Sequence, residues 1–219
     1  QPAPGGESGP GYVRRAPDLP PPGRVYGYGK GEGGWAESAL LGGSDGEVGD
    51  GFGTALDASG QHLVVGAPAA NTAYLFRFGP EGWSQEARLT TADSTSGFGQ
   101  SVLLDDDRLY VGTSSTVAMM ESDTLTSGAV HVFEQQEGGQ WAETAVLRST
   151  EVGADAGFAS ALLAWKDHLL VAAPKHESGA VVAFRAGANA WAEAQTATAT
   201  ALSSSAQCGT ALQPVASQV

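Results

Sequence analysis

The chain has 219 residues, a formal net charge of −13, 31 glycines and a single cysteine, Cys208. Its 11 lysines and arginines are scattered along an acidic chain, so we expect no nucleic-acid partner, because binding a phosphate backbone needs clustered basic residues. No apolar run approaches the roughly 20 residues of a membrane-spanning helix, so we expect no membrane insertion. One cysteine also excludes an internal disulfide.

Residues 1–22 are rich in proline and glycine and end in three consecutive prolines. Such a composition buries too little apolar surface to offset the entropy of ordering, so we expect a flexible tail. It serves either as a plain linker or as an arm that lies on a partner. The remaining residues, 23–219, form the predicted folded domain.

A short stretch after Arg24 has the pattern of two strands. Tyr26 and Tyr28 alternate with smaller residues, as in a strand with one face buried. Trp35 and an apolar pair of leucines follow a glycine-rich turn. The same order of residues closes each of the repeats described next, so the chain enters a repeat in its middle.

Three copies of one longer pattern occupy residues 51–90, 97–147 and 157–200. Each copy opens on a Phe and a small residue, continues with a Leu/Val-rich run and an alternating aromatic strand, and closes on a Trp. The Phe precedes a small residue of the Leu/Val-rich run by 14 positions in every copy: Phe52 and Gly66, Phe98 and Gly112, Phe158 and Ala172. Repetition at this period is typical of propellers and solenoids. The sequence therefore predicts an all-β fold with four short strands per copy.

The second copy differs from the others by an insertion at Ser114–Ser127. Insertions in repeat proteins map to surface loops, where binding residues are concentrated. Paired methionines suit adaptable contacts. We therefore predict a partner-binding loop, with these contact residues: Ser115, Met119, Met120, Glu121 and Asp123.

The C-terminal segment repeats the opening of a unit. Cys208-Gly209-Thr210-Ala211-Leu212 matches Phe52-Gly53-Thr54-Ala55-Leu56 at four of five positions. Cys208 takes the place of a Phe, so we expect it to pack as a small hydrophobic residue. The C-terminus is predicted to supply the opening of the unit whose closing strands lie at the N-terminus.

The Phe-Gly opening, the Val-Val-Gly-Ala-Pro run and the Trp strand resemble the FG-GAP repeats of the integrin α-subunit propeller, and more closely the short bacterial FG-GAP repeats of extracellular proteins. The resemblance covers Arg24 to Leu212 and implies a β-propeller with one four-stranded sheet per repeat. Three full units and one unit shared between the termini make four blades. The alternative is a larger ring, for example of seven blades, completed by further sequence or by another copy of the chain.

Many FG-GAP repeats carry a calcium loop with Asp and Asn at alternate positions between the first two strands. Here only the loop Asp105-Asp106-Asp107 is acidic, and consecutive side chains point in different directions. We therefore predict no metal site and no cofactor. Asp105 and Asp107 remain the candidates for calcium, and a solvated turn is the other interpretation.

The histidines and tryptophans recur at repeat positions. His62 and His168 precede equivalent strands and His131 replaces a Tyr or a Val, which favours structural roles over catalysis or zinc binding. One position of the repeat is always a tryptophan: Trp35, Trp83, Trp141 and Trp191. Equivalence in every unit indicates packing, and stacking on sugars is the alternative.

These observations predict a non-enzymatic, secreted or cell-surface (extracellular or periplasmic) module. Its expected role is protein binding, in adhesion or as a subunit of a surface assembly. A carbohydrate-binding, lectin-like propeller is the alternative. A hydrolase with a site in the central channel has only fold analogy in its favour.

Overall fold

A computed structural model describes residues 22–92, 97–105, 107–113, 128–187, 190–198 and Leu212, and the following description is confined to them. Two short 3-10 helices, Pro68–Ala70 and Ala154–Ala156, accompany the strands. Over those ranges no helix is long and apolar enough to span a bilayer. The strands are β1 (Val25–Gly31), β2 (Gly34–Leu41), β3 (Leu56–Ser59), β4 (His62–Ala67), β5 (Thr72–Gly79), β6 (Gly82–Leu89), β7 (Ser101–Asp105), β8 (Arg108–Thr113), β9 (Ala129–Gln135), β10 (Trp141–Leu147), β11 (Leu162–Trp165), β12 (His168–Ala173), β13 (Ala180–Ala186) and β14 (Trp191–Thr198).

The strands form four antiparallel sheets in chain order. The first sheet has the two strands β1 and β2, and the second (β3–β6), third (β7–β10) and fourth (β11–β14) sheets have four strands each. Within each sheet, strands that follow one another in the sequence pair antiparallel. This arrangement confirms the predicted all-β fold of propeller blades, one sheet per repeat.

The second and third sheets each pack one face against the sheet before and the other against the sheet after, whereas the first and fourth sheets each pack one face against a described neighbour. We call the side turned toward the following sheet the front face and the other side the back face. Between the second and third sheets, the front face contributes Val64, Leu75 and Leu89, and the back face contributes Leu109, Val111 and Phe133. Between the third and fourth sheets the corresponding residues are Tyr110, Val130 and Val132, and Val171, Val182 and Phe184. Because side chains alternate along a strand, one apolar strand supplies two such interfaces.

Glycine at the motif positions allows the backbones of consecutive sheets to touch. A Cβ on Gly66 would lie 2.9 Å from the carbonyl carbon of Gly99 and 3.3 Å from its Cα, and closer still to its oxygen. A Cβ on Gly112 would lie 2.7 Å from the carbonyl oxygen of Ala159. Gly99 itself has a φ of +98°, which favours glycine. The repeated Phe-Gly and Gly-Ala-Pro elements therefore meet each other across the sheet boundary.

Polar side chains link the fourth strands of the second and fourth sheets to the segment that precedes each of these sheets. The side-chain oxygen of Gln85 accepts a hydrogen bond from the Ser44 backbone nitrogen at 3.0 Å. At the equivalent position, Glu193 accepts hydrogen bonds from Ser149 Oγ at 2.6 Å and from the Thr150 nitrogen at 3.1 Å. Burial acts to raise the pKa of Glu193, but these hydrogen bonds outweigh it and hold the pKa below its usual value.

Candidate functional site

The back face of the first sheet carries the largest exposed aromatic cluster among the described residues. Tyr26 is 54% exposed, Tyr28 59%, Trp35 70% and Leu40 54%. Tyr26 lies directly opposite Leu40, and Trp35 lies opposite Lys30 on the same side of the hairpin. We call these four residues, Tyr26, Tyr28, Trp35 and Leu40, the aromatic face.

The equivalent residues of the second sheet show what this face lacks. Tyr74 is 1% exposed and Phe76 is 3% exposed. Phe52 packs edge-on against both rings, with centroid distances of 5.5 Å and 6.2 Å, and the first sheet covers them. The packing role predicted for the repeated Trp position thus fails at Trp35, because no described element lies against the back of the first sheet.

A groove between the third and fourth sheets holds a polar cavity. It encloses about 440 Å³ and is lined by Arg108, Glu134 and Trp191 together with backbone of β10 and β13. Arg108 Nε donates to Glu134 Oε1 at 2.8 Å, and the guanidinium lies 5.5 Å from the centre of the Trp191 ring. The hydrogen bond to Glu134 raises the pKa of the Arg108 guanidinium. The groove thus presents a fixed ion pair beside an indole.

Tyr110 packs against Trp191, one of the residues that line the groove. Its ring meets Trp191 edge-on at 6.0 Å, and its side chain is almost fully buried. Burial raises the pKa of Tyr110 to about 12. The phenol therefore stays protonated at physiological pH.

The two calcium candidates lie at the outer end of the same groove. Asp105 and Asp107 border a cavity of about 480 Å³ that Arg108 and Lys166 also line. Asp106 falls outside the described residues. Within the described ranges no three carboxylate, histidine or cysteine side chains come together in a way that would hold a metal ion.

The predicted partner-binding residues Ser115, Met119, Met120, Glu121 and Asp123 lie outside the described residues. The same holds for the N-terminal tail up to residue 21 and for the segment from Cys208 to residue 211. The closing contact of a four-bladed ring, between the first and fourth sheets, is not found in the part of the chain that the structure describes. The shared unit stays a prediction.

Three histidines make polar or packing contacts with neighbouring side chains. His62 Nε2 lies 3.2 Å from Glu86 Oε2, and the imidazole meets Trp141 of the next sheet edge-on at 6.2 Å. The Trp141 indole nitrogen also donates to Glu86 Oε1 at 3.0 Å. His131 is fully buried, which confirms the predicted core position, and His168 lies 2.8 Å from its neighbour Asp167.

Comparison with known proteins agrees with this architecture. A family model described as FG-GAP repeat matches residues 35–76. This chain contains an FG-GAP repeat. The matched residues run from the Trp strand of the first sheet to the aromatic strand of the second, so the FG-GAP unit includes both the Phe-Gly opening and the Gly-Ala-Pro run. No curated protein matches the chain by sequence.

A solved structure supports the fold. The chain is similar to a protein from Lactobacillus plantarum known from a crystal structure, with a TM-score of 0.56 and 16% identity. The match covers 79% of this chain and 48% of that chain. At this identity the likeness concerns the fold alone, and this chain spans about half the length of that protein.

Sequence reasoning missed both surfaces. The aromatic face is built from residues whose period marks them as core, and the groove joins residues from two repeats. A signal for the groove was present, since Arg108 occupies the repeat position of His62 and His168. The groove could not be predicted from that signal alone, because Trp191 belongs to the neighbouring sheet and reaches Arg108 only when the two sheets pack.

Proposed function

We propose that this chain is a non-enzymatic extracellular or cell-surface module that binds another protein, in adhesion or in a surface assembly. The observation that carries the proposal is the aromatic face. Contiguous exposed apolar patches on soluble proteins mark interaction sites. Tyrosine and tryptophan are also enriched where binding energy is concentrated. The extracellular location follows from the resemblance to FG-GAP repeats of extracellular proteins.

The backbone beside the aromatic face adds a second means of binding. Strand β1 pairs with β2 along one edge, and its other edge has no described partner strand. Its counterparts β5, β9 and β13 are paired on both edges. A strand edge of this kind pairs either with an extended segment of another chain or with the C-terminal segment that the sequence predicts to open this unit. A protein ligand can therefore combine backbone pairing with packing on Tyr26 and Tyr28.

The test is partner capture by the immobilised full-length chain from the extracellular fraction of its source. We expect the change Tyr28→Ser to weaken retention of the captured protein about 30-fold, as for the loss of a 2 kcal/mol hot spot. Leu56→Ser is the matched control, because Leu56 is 56% exposed but lies on an internal sheet. Equal retention by all three proteins would contradict a role for the aromatic face.

The insertion at Ser114–Ser127 is proposed as a second contact with the same partner. Deleting residues 115–126 should leave the melting temperature unchanged, because insertions in repeat proteins map to surface loops. Binding should weaken. Unchanged binding by the deletion variant would remove the loop, including Met119 and Met120, from the proposal.

A carbohydrate ligand is the second candidate, and the groove between the third and fourth sheets favours it. Arg108 and Glu134 offer charged hydrogen-bonding groups to sugar hydroxyls beside the indole of Trp191, in a cavity of about 440 Å³. A glycan array probed with the native chain and with Arg108→Met separates the candidates. Glycan binding that disappears in Arg108→Met supports this function, and an array without signal contradicts it.

A further inference from the structure

The fourth sheet has an uncovered face as well. Its front face borders an open cavity of about 570 Å³ lined mainly by apolar side chains. The lining residues include Trp165, Leu170, Val181 and Ala183. Leu170 pairs with Ala183 across the sheet, so these side chains lie on one side. Trp165 is half exposed.

The repeat shows that this face is an interface without its second half. The positions of Leu170, Val181 and Ala183 are held in the second sheet by Val64, Ala73 and Leu75, which are completely buried under the third sheet. In the third sheet they are held by Tyr110, Val130 and Val132, which are buried under the fourth. In the fourth sheet all three positions are only half-buried.

One contact recurs at the second and third boundaries, and each of its two halves is found without the other at one end of the described chain. At the second boundary the ring of His62 meets Trp141 of the next sheet, and at the third the guanidinium of Arg108 lies over Trp191. The fourth sheet carries His168 at this position. Trp35 of the first sheet is the one tryptophan of the repeat series that no preceding described sheet contacts.

The front of the fourth sheet and the aromatic face are thus the two halves of the interface that the chain forms repeatedly inside itself. Both stand exposed in the same molecule, and no contact between them is found within the described residues. We infer that a second copy of this chain packs the front of its fourth sheet against the aromatic face, and that the two copies close head to tail.

Head-to-tail closure uses two identical boundaries, each joining the fourth sheet of one copy to the first sheet of the other. At each boundary Trp35 of one copy lies against His168 of its partner copy, and Tyr26 and Tyr28 pack on Leu170 and Ala183. A stable interface buries upward of roughly 1,000 Å² in total, and head-to-tail closure forms the same boundary twice. A heterologous contact of this kind ends in a closed ring when the rotation closes. This inference rests on the proposed function, because it names the occupant of the aromatic face.

The test is the oligomeric state of the full-length chain, measured by light scattering over a micromolar concentration series. We expect twice the 22.2 kDa mass of a single chain. Trp35→Ser removes one half of the boundary, and Ala183→Glu places a charge in the other half. Each variant alone should be monomeric, since both boundaries of a homodimer are then damaged. Leu56→Ser is the control and should remain dimeric, and circular dichroism reports whether each variant folds.

Mixing the two variants is the decisive arm. Trp35→Ser keeps an intact fourth sheet and Ala183→Glu keeps an intact first sheet, so the mixture should recover a dimer through one undamaged boundary. A native chain that is monomeric throughout the series overturns the inference. A dimer that survives Ala183→Glu also overturns it, because the contact is then between two first sheets. Capture of a different protein in the experiment above is measured independently, so failure here leaves the proposed function standing.

Discussion

Substitution of Gly66 by alanine tests the idea that the motif glycines exist to let consecutive sheets touch. The added methyl carbon would lie 2.9 Å from the carbonyl carbon of Gly99, against ordinary contacts of about 3.4 Å or more. The obstacle is backbone, so no side-chain rotation relieves it. Two backbone hydrogen bonds also hold Gly66 in place. Gly53 donates to the Gly66 oxygen at 3.0 Å, and Gly66 donates to the Ala55 oxygen at 2.8 Å.

The magnitude follows from these contacts. Forcing an extra methyl group into a packed site costs about 1–3 kcal/mol. Shifting the strand would weaken backbone hydrogen bonds, each worth about 1 kcal/mol. The alanine also restricts the unfolded chain, which offsets about 0.4–1 kcal/mol of the lost stability. We expect Gly66→Ala to lower the free energy of unfolding by about 2 kcal/mol and the melting temperature by about 4–8 °C.

Gly79→Ala is the matched control. Gly79 lies at the end of strand β5, and the nearest atom to its added Cβ is the Gly82 oxygen at 3.9 Å. This change should leave stability unchanged or raise it by up to about 1 kcal/mol. Urea unfolding followed by tryptophan fluorescence measures both variants. A Gly66→Ala protein as stable as Gly79→Ala would refute the explanation of the motif.

Three further predictions concern burial and pH. Phe76→Ala should lower the free energy of unfolding in urea by about 3–5 kcal/mol. Phe78→Ala, on the same strand but 49% exposed, should lower it by about 1 kcal/mol. Equal losses would contradict the assignment of Phe76 to the core. Folding raises the pKa of Tyr110 from 10.0 to about 12, so the free energy of unfolding should fall as the pH rises from 10 to 12. At pH 11 the loss should be about 1 kcal/mol. Tyr110→Phe should lack this loss. Because the pKa of Glu193 is lowered, the stability it contributes should be lost as the pH falls below 4.5, and Glu193→Gln should show a flatter acid-unfolding curve than the native chain.

The sequence was sufficient to predict the strands and their grouping into repeats. Periodicity reports which positions share a face, and the constant interval between Phe52 and Gly66 and its counterparts fixes the repeat unit. It also indicated that His131 is a core residue, because this position is apolar or aromatic in the other copies. These properties are local, so they can be read before the sheets are assembled.

The sequence did not indicate how the two surfaces arise. Trp35 and Trp191 occupy the same repeat position. They differ only in whether a described preceding sheet packs against the back face on which they lie. The partner of Arg108 over the groove comes from the following repeat, at a distance of more than 80 residues. No periodicity within one repeat contains this information, because it depends on how neighbouring sheets are placed.

The amino-acid sequence by itself determined the strand order, the alternation of faces and the glycines at the sheet boundaries, since each depends on residues close together in the chain. Only the tertiary structure decided which faces are covered. Burial is a property of two packed surfaces. The described part of the chain forms three boundaries between consecutive sheets. It leaves Tyr28 at one end and Ala183 at the other without a second surface.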